Sequence, residues 1–136
     1  MELFNHTWDL LAQKRRTKEE EDEMLYSAYA SRYHWGVVGR PLHRSIGEWQ
    51  ISRVYAVLGR AEPAAYHGHR ALEIALRGRL APFYVAYGHE ALARAAAIAG
   101  QRSVRETEIR RATRLATRIR SKDDRRMLLE DLATIP

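Results

Sequence analysis

The chain of 136 residues has no cysteine, which excludes disulfide bonds and thiolate metal sites. Lysine is scarce too. Only Lys14, Lys18 and Lys122 occur, so nearly all of the positive charge is arginine, a bias that fits a GC-rich genome or a hot habitat. No apolar run is long enough to span a bilayer. The opening MELFNHTWDLL lacks a basic leader region and a cleavage-like end, so no secretion signal is read there and a cytoplasmic location is expected. Aromatic residues stop at Tyr87, leaving the last third with none. There is no Gly-rich phosphate loop, no G-x-S-x-G, no H-E-x-x-H, and no helix-turn-helix or zinc-finger signature. No alternating strand pattern, low-complexity segment or second domain is found, and no cofactor is expected.

What is present is helical periodicity punctuated by glycine and proline. Glu2–Ala12 carries Leu3, Phe4, Thr7, Trp8, Leu10 and Leu11 at helical spacing. Thr17 followed by Glu20 is a capping box, and the acidic run Glu19–Glu23 suits the positive end of the helix it opens. That helix runs to Val38, with Met24, Ala28, Ser31, Trp35 and Val38 as its apolar stripe. Pro41 opens a third helix over Leu42–Leu58. The fourth covers Glu62–Arg77, with Pro63 in its first turn and Gly78 at its end. Pro82 opens the fifth, Phe83–Ala99, which is rich in alanine and should be the most buried. Ser103 with Glu106 predicts a cap for the sixth, Val104–Arg120. Ser121 caps a short seventh, whose apolar face is Met127, Leu128, Leu132 and Ile135.

The stretch from Gly47 to Ala75 organises this pattern. Two helices meet at Gly59, and small Ala64 and Ala71 let them approach closely, which predicts an αα-hairpin. Shifted by 41 residues the stretch recurs, with Ile51 on Leu92, Ser52 on Ala93, Leu58 on Ala99, Gly59 on Gly100, Ala71 on Ala112, Ile74 on Leu115 and Ala75 on Ala116. Tyr55 falls on Ala96 and Ala64 on Arg105, which are departures. The spacing Y-x3-G-x4-A-x6-A, carried by Tyr55, Gly59, Ala64 and Ala71, resembles the tetratricopeptide repeat, whose period is about 34. Glu48 stands where that repeat has an early Trp, with Trp49 beside it, and Gly68 replaces a large aromatic. The resemblance implies an all-α solenoid of αα-hairpins, about seven helices in one domain. Its hairpin units would be 2–38, 41–77 and 82–120, closed by a capping helix over 122–133.

The same resemblance implies a binding function and places the groove on the first helices of the hairpins. Its lining would be Trp49 and Arg53 in one unit and Tyr87, Glu90 and Arg94 in the next. Two guanidiniums beside aromatic rings suit an acidic peptide, a carboxylate or a phosphate. The structural alternative is that Arg53 and Glu90 pair across the seam, with Arg44 and Glu48 joining the network. The leading expectation is therefore a non-enzymatic module that binds an unknown protein or peptide, with self-association open. Arg110, Arg114 and Arg118, spaced by four, form a basic stripe that nucleic acid could use, or simply a solvated face. Without aromatics for stacking, the solvated face is preferred. A small helical enzyme with His34 as base is the remaining alternative, against a packed, hydrogen-bonded His34 beside Trp35. Ser27, Ser31, Ser45 and Ser52 are read as small seam residues. His43, His67, His69 and His89 lack metal-ligand spacing, and no metal is expected.

Overall fold

The computed structural model describes residues 2–136, apart from the side chain of Val38. Among the described residues there are seven helices and no strand. They are α1 (Glu2–Ala12), α2 (Lys18–Val38), α3 (Pro41–Val57), α4 (Ala61–Arg77), α5 (Pro82–Ile98), α6 (Arg102–Ala116) and α7 (Lys122–Ala133). Each helix packs on its neighbours in sequence. In addition α1 packs on α3, α3 on α5 and α5 on α7, whereas the backbones of α2, α4 and α6 stay apart, α2 and α4 meeting through the side chains of Tyr29 and His67. The odd-numbered helices thus form a continuous inner layer and the even-numbered ones a splayed outer layer. This curves the stack, with the odd-numbered helices on the concave side. Links of a few residues between packed helices make neighbours antiparallel.

The 41-residue repeat is visible in the backbone. Pro41 and Pro82 each occupy the first turn of a 17-residue helix. Gly59 and Gly100 follow those helices with φ of +74° and +73°. Around them Arg60 N–H donates to the Tyr55 carbonyl and Gln101 N–H to the Ala96 carbonyl, both at 2.9 Å, the bond that closes a Schellman end. α4 closes the same way, with Leu80 N–H on the Ala75 carbonyl at 2.9 Å. Here the left-handed residue is Arg79, φ +50°, and not Gly78, which is a right-handed cap at φ −79°.

The capping box of α2 forms as its sequence predicts, Thr17 Oγ1 accepting from Glu20 N–H and Glu20 from Thr17 N–H. Ser121 caps α7 by accepting from Asp124 N–H. The box expected at Ser103 and Glu106 does not form. α6 begins one residue before Ser103, which leaves Ser103 inside the first turn, and Glu106 turns instead to Arg102 at 3.2 Å. α6 also ends at Ala116, so Arg118 lies in the turn beyond it and does not continue the stripe of Arg110 and Arg114. Met24, Ala28, Ser31 and Trp35 are buried along α2, while the Val38 side chain lies outside the described part. Leu128, Leu132 and Ile135 are buried under α7, but Met127 is half exposed at the mouth of the concave face.

Two apolar clusters make the core. One gathers Leu10, Met24, Ile51, Val54, Tyr55 and Ala64, the other Ala86, Tyr87, Ala112, Ile119, Leu128 and Leu132. α5 carries the most buried residues, ten of its 17, as expected of its alanine-rich sequence. Small residues set the seams. A Cβ on Gly88 would lie 2.9 Å from Leu72 Cα, and one on Gly68 would lie 3.2 Å from Leu92. Ser45 and Ser52 spend their hydroxyls on the carbonyls of Ala71 and Ala64, at 3.0 and 2.7 Å.

Candidate functional site

The repeat places Trp49 and Glu90 at equivalent positions of α3 and α5, and Arg53 and Arg94 one turn further along. In the structure these residues meet. Glu90 is fully buried and accepts from Trp49 Nε1 at 2.9 Å, from Arg94 Nε at 2.8 Å and from Arg53 Nη2 at 3.4 Å. The Arg53 guanidinium also lies 5.6 Å from the centre of the Trp49 ring. α7 closes the cluster from the other side. Asp131 accepts from Tyr87 Oη at 2.5 Å and stands 3.8 Å from Arg53, while Arg94 Nη2 donates to the Asp131 carbonyl and to Thr134 Oγ1, both at 3.0 Å. Burial, and then the hydrogen bond to Asp131, push the Tyr87 phenol above its usual range. It stays protonated and acts as a donor.

All five groove residues expected from sequence, Trp49, Arg53, Tyr87, Glu90 and Arg94, therefore converge in one cluster. Two guanidiniums face two carboxylates there, and no cavity large enough for a water remains among Trp49, Arg53, Glu90 and Arg94. Arg94 spends its donors on Glu90, the Asp131 carbonyl and Thr134, while Arg53 sits between Glu90 and Asp131 with its buried Nε lacking a partner among the described residues. Arg44 and Glu48 do not join. Arg44 donates to the Gly39 carbonyl at 3.1 Å, and Glu48 belongs to a separate cluster.

Open space lies beside this network, on the concave face. A cavity of about 330 Å³ is walled by Trp8 of α1, Ile46 and Trp49 of α3, Phe83, Tyr84 and Tyr87 of α5, and Met127 of α7, with Asp131 at its edge. Every inner helix contributes. Its aromatic walls are set by edge-to-face packing of Tyr87 against Trp49 and against Phe83, with ring centres 5.3 and 4.9 Å apart, and by Trp8 tilted against Trp49 at 5.4 Å. Trp8, Phe83 and Tyr84 were not singled out from sequence as site residues. Phe83 and Tyr84 lie one turn before Tyr87 on the same helix, which was the available signal. Trp8 is remote in sequence and carried none.

A second polar cluster sits between α2, α3 and α4. Glu48 accepts from Arg32 Nε at 2.6 Å and pairs with His67 Nδ1 at 3.0 Å; His67 Nε2 lies 3.0 Å from Tyr29 Oη, which is 2.9 Å from Tyr55 Oη. Nδ1 is directed at Glu48, and a hydrogen-bonded chain runs on from Nε2 through Tyr29 to Tyr55. Burial raises the Glu48 carboxyl, but the hydrogen bond and charge of His67 and the charge of Arg32 outweigh it and hold the group below its usual range. Burial, followed by the bond to Tyr55, raises the Tyr29 phenol. One repeat later the pair recurs with its members exchanged. His89 Nδ1 lies 2.6 Å from Glu108, which also accepts from Arg111 at 2.8 Å.

No protein-family model matches the chain, and no curated protein or solved structure is significantly similar to it. The remaining residues expected to matter lie apart. Arg110 and Arg114 are exposed on α6 and Arg118 beyond its end. His34, expected to pack beside Trp35, is exposed on α2, while Trp35 packs on Phe4 and His43. Among the described residues no group of His, Cys, Asp or Glu is arranged to hold a metal, and no helix is long and apolar enough to cross a membrane.

Proposed function

We propose that the chain is a tetratricopeptide-repeat-like interaction module whose concave face binds a partner polypeptide through a bulky apolar anchor residue. The observation that carries this reading is the aromatic cavity of about 330 Å³, to which all four inner helices contribute. Its size lies at the lower end of ligand-binding clefts, large enough for one or two apolar side chains. The charges beneath it are already paired, so what the groove offers is apolar area and ring faces. Aromatic pockets of this kind supply most of the affinity in peptide and protein interfaces. Asp131 at the edge, its carboxylate about a third exposed, can accept from a passing peptide N–H. The buried Arg–Glu network underneath holds α3, α5 and α7 in register and so keeps the walls apart.

The test is selection of binders from a displayed library of random peptides, with affinities then measured on the purified chain. Enriched peptides should share a large apolar anchor. Met127→Glu places a charge at the cavity mouth on a half-exposed residue, so it should weaken them at least tenfold without changing the melting temperature. Enrichment of acidic peptides that ignore Met127→Glu but depend on Arg110 and Arg114 would overturn the reading.

A further inference from the structure

The outer side of α2 carries a seam that none of the described residues covers. Tyr26, Ala30, Tyr33 and Val37 follow at steps of four, three and four residues, and all are exposed, the three large ones by 69, 76 and 69%. That spacing is the one by which two helices pack along a coiled-coil seam, and a helix face meant for water carries polar residues instead. Glu19 and Glu23 extend the same line toward the start of the helix, both exposed, with only the half-exposed His6 near Glu23, at 3.5 Å. Just past the other end is exposed Arg40, which pairs with no carboxylate among the described residues.

We propose that this seam packs against the same seam of a second copy, the two α2 helices running antiparallel about a two-fold axis. The register that sets Tyr26 of one copy against Val37 of the other sets Ala30 against Tyr33, so that a small residue meets a large one. The same register sets Glu23 of one copy beside the end of the other's α2, where Arg40, two residues past Val38 in the link to α3, can reach it with its long side chain. A parallel pairing would set Glu19 and Glu23 against their own copies, like charge on like. The surface is thus complementary to itself in one direction only, which is what a two-fold contact requires. The apolar part of the seam is short, about 16 Å at 1.5 Å per residue. The interface is accordingly small and the dimer depends on concentration. It lies on the outer layer, away from the concave cavity, and leaves that groove free.

Analytical ultracentrifugation of the full chain across micromolar to millimolar concentration tests the proposal. Wild type should show a monomer–dimer equilibrium. Tyr33→Glu, at a site three-quarters exposed and so expected to leave the helical melt unchanged, should weaken the dimer at least tenfold. Glu23→Arg and Arg40→Glu should each weaken it, and the two together should restore it. A chain that stays monomeric throughout, a dimer indifferent to Tyr33→Glu, or a double charge exchange no tighter than either single variant would overturn it.

Discussion

Glu90 is the residue with most at stake in this molecule. It is a fully buried carboxylate whose charge is tolerable only because Trp49, Arg53 and Arg94 all donate to it. Arg94→Ala removes its closest partner and cuts the link to Asp131 and Thr134. The variant should lose roughly 3–5 kcal/mol, read as a large fall in melting temperature. A melt within a degree or two of wild type would mean that Arg94 is not part of the network. Glu48 makes a prediction about pH. Its carboxyl is held below the ordinary 4.5, so the folded protein takes up this proton later than the unfolded chain does. The stability it contributes is present above that ordinary value and is lost as pH falls through the lowered one. Glu48→Gln should flatten this acid limb, and chemical denaturation of both proteins on either side of the ordinary carboxylate range measures it. The exchange of Glu48 and His67 for His89 and Glu108 was written in the sequence at the 41-residue shift. It is invisible to a search for metal-ligand spacing, because each pair bridges two helices.

At the scale of the element, the sequence reported what local chemistry decides. The Thr17 box, the Ser121 cap, the proline starts and the glycine ends formed as the sequence reading placed them. Ser103 failed because its helix gained a turn's start from Arg102, whose pairing with Glu106 replaced the box. Helix contacts yield two further predictions. Gly88→Ala drives a Cβ to 2.9 Å from the backbone of Leu72, whereas Gly47→Ala meets the Arg32 side chain first, at 2.9 Å from its Cδ. Gly88→Ala should therefore cost about 1–3 kcal/mol and Gly47→Ala less, compared by thermal melts. Gly59 and Arg79 occupy equivalent left-handed positions after α3 and α4. Gly59→Ala should destabilise and Arg79→Gly should stabilise, each by about 1 kcal/mol, since only glycine adopts that conformation without strain. If Arg79→Gly destabilises, its side chain has a role beyond the turn.

For the whole molecule, the helical class and the repeat were legible because both rest on short-range spacing. The meeting of Trp49, Arg53, Glu90 and Arg94 was legible too, since adjacent repeats bring equivalent positions together. What α7 and α1 contribute was not. Asp131, Thr134 and Trp8 reach the site from the two ends of the chain, and no local pattern records that the inner layer is continuous. Without them the groove looks charged and open. With them the charges are paired and the open part is aromatic.

The central claim is that ligands enter that aromatic cavity, and the indole N–H signals of the three tryptophans test it directly. Trp8 and Trp49 line the cavity, whereas Trp35 packs elsewhere, between Phe4 and His43. Titrating the nitrogen-15-labelled chain with a selected peptide should move the Trp8 and Trp49 indole resonances together and leave Trp35 in place. Binding that leaves both cavity indoles unmoved, with shifts gathered on α6 or around Trp35 instead, would contradict the account.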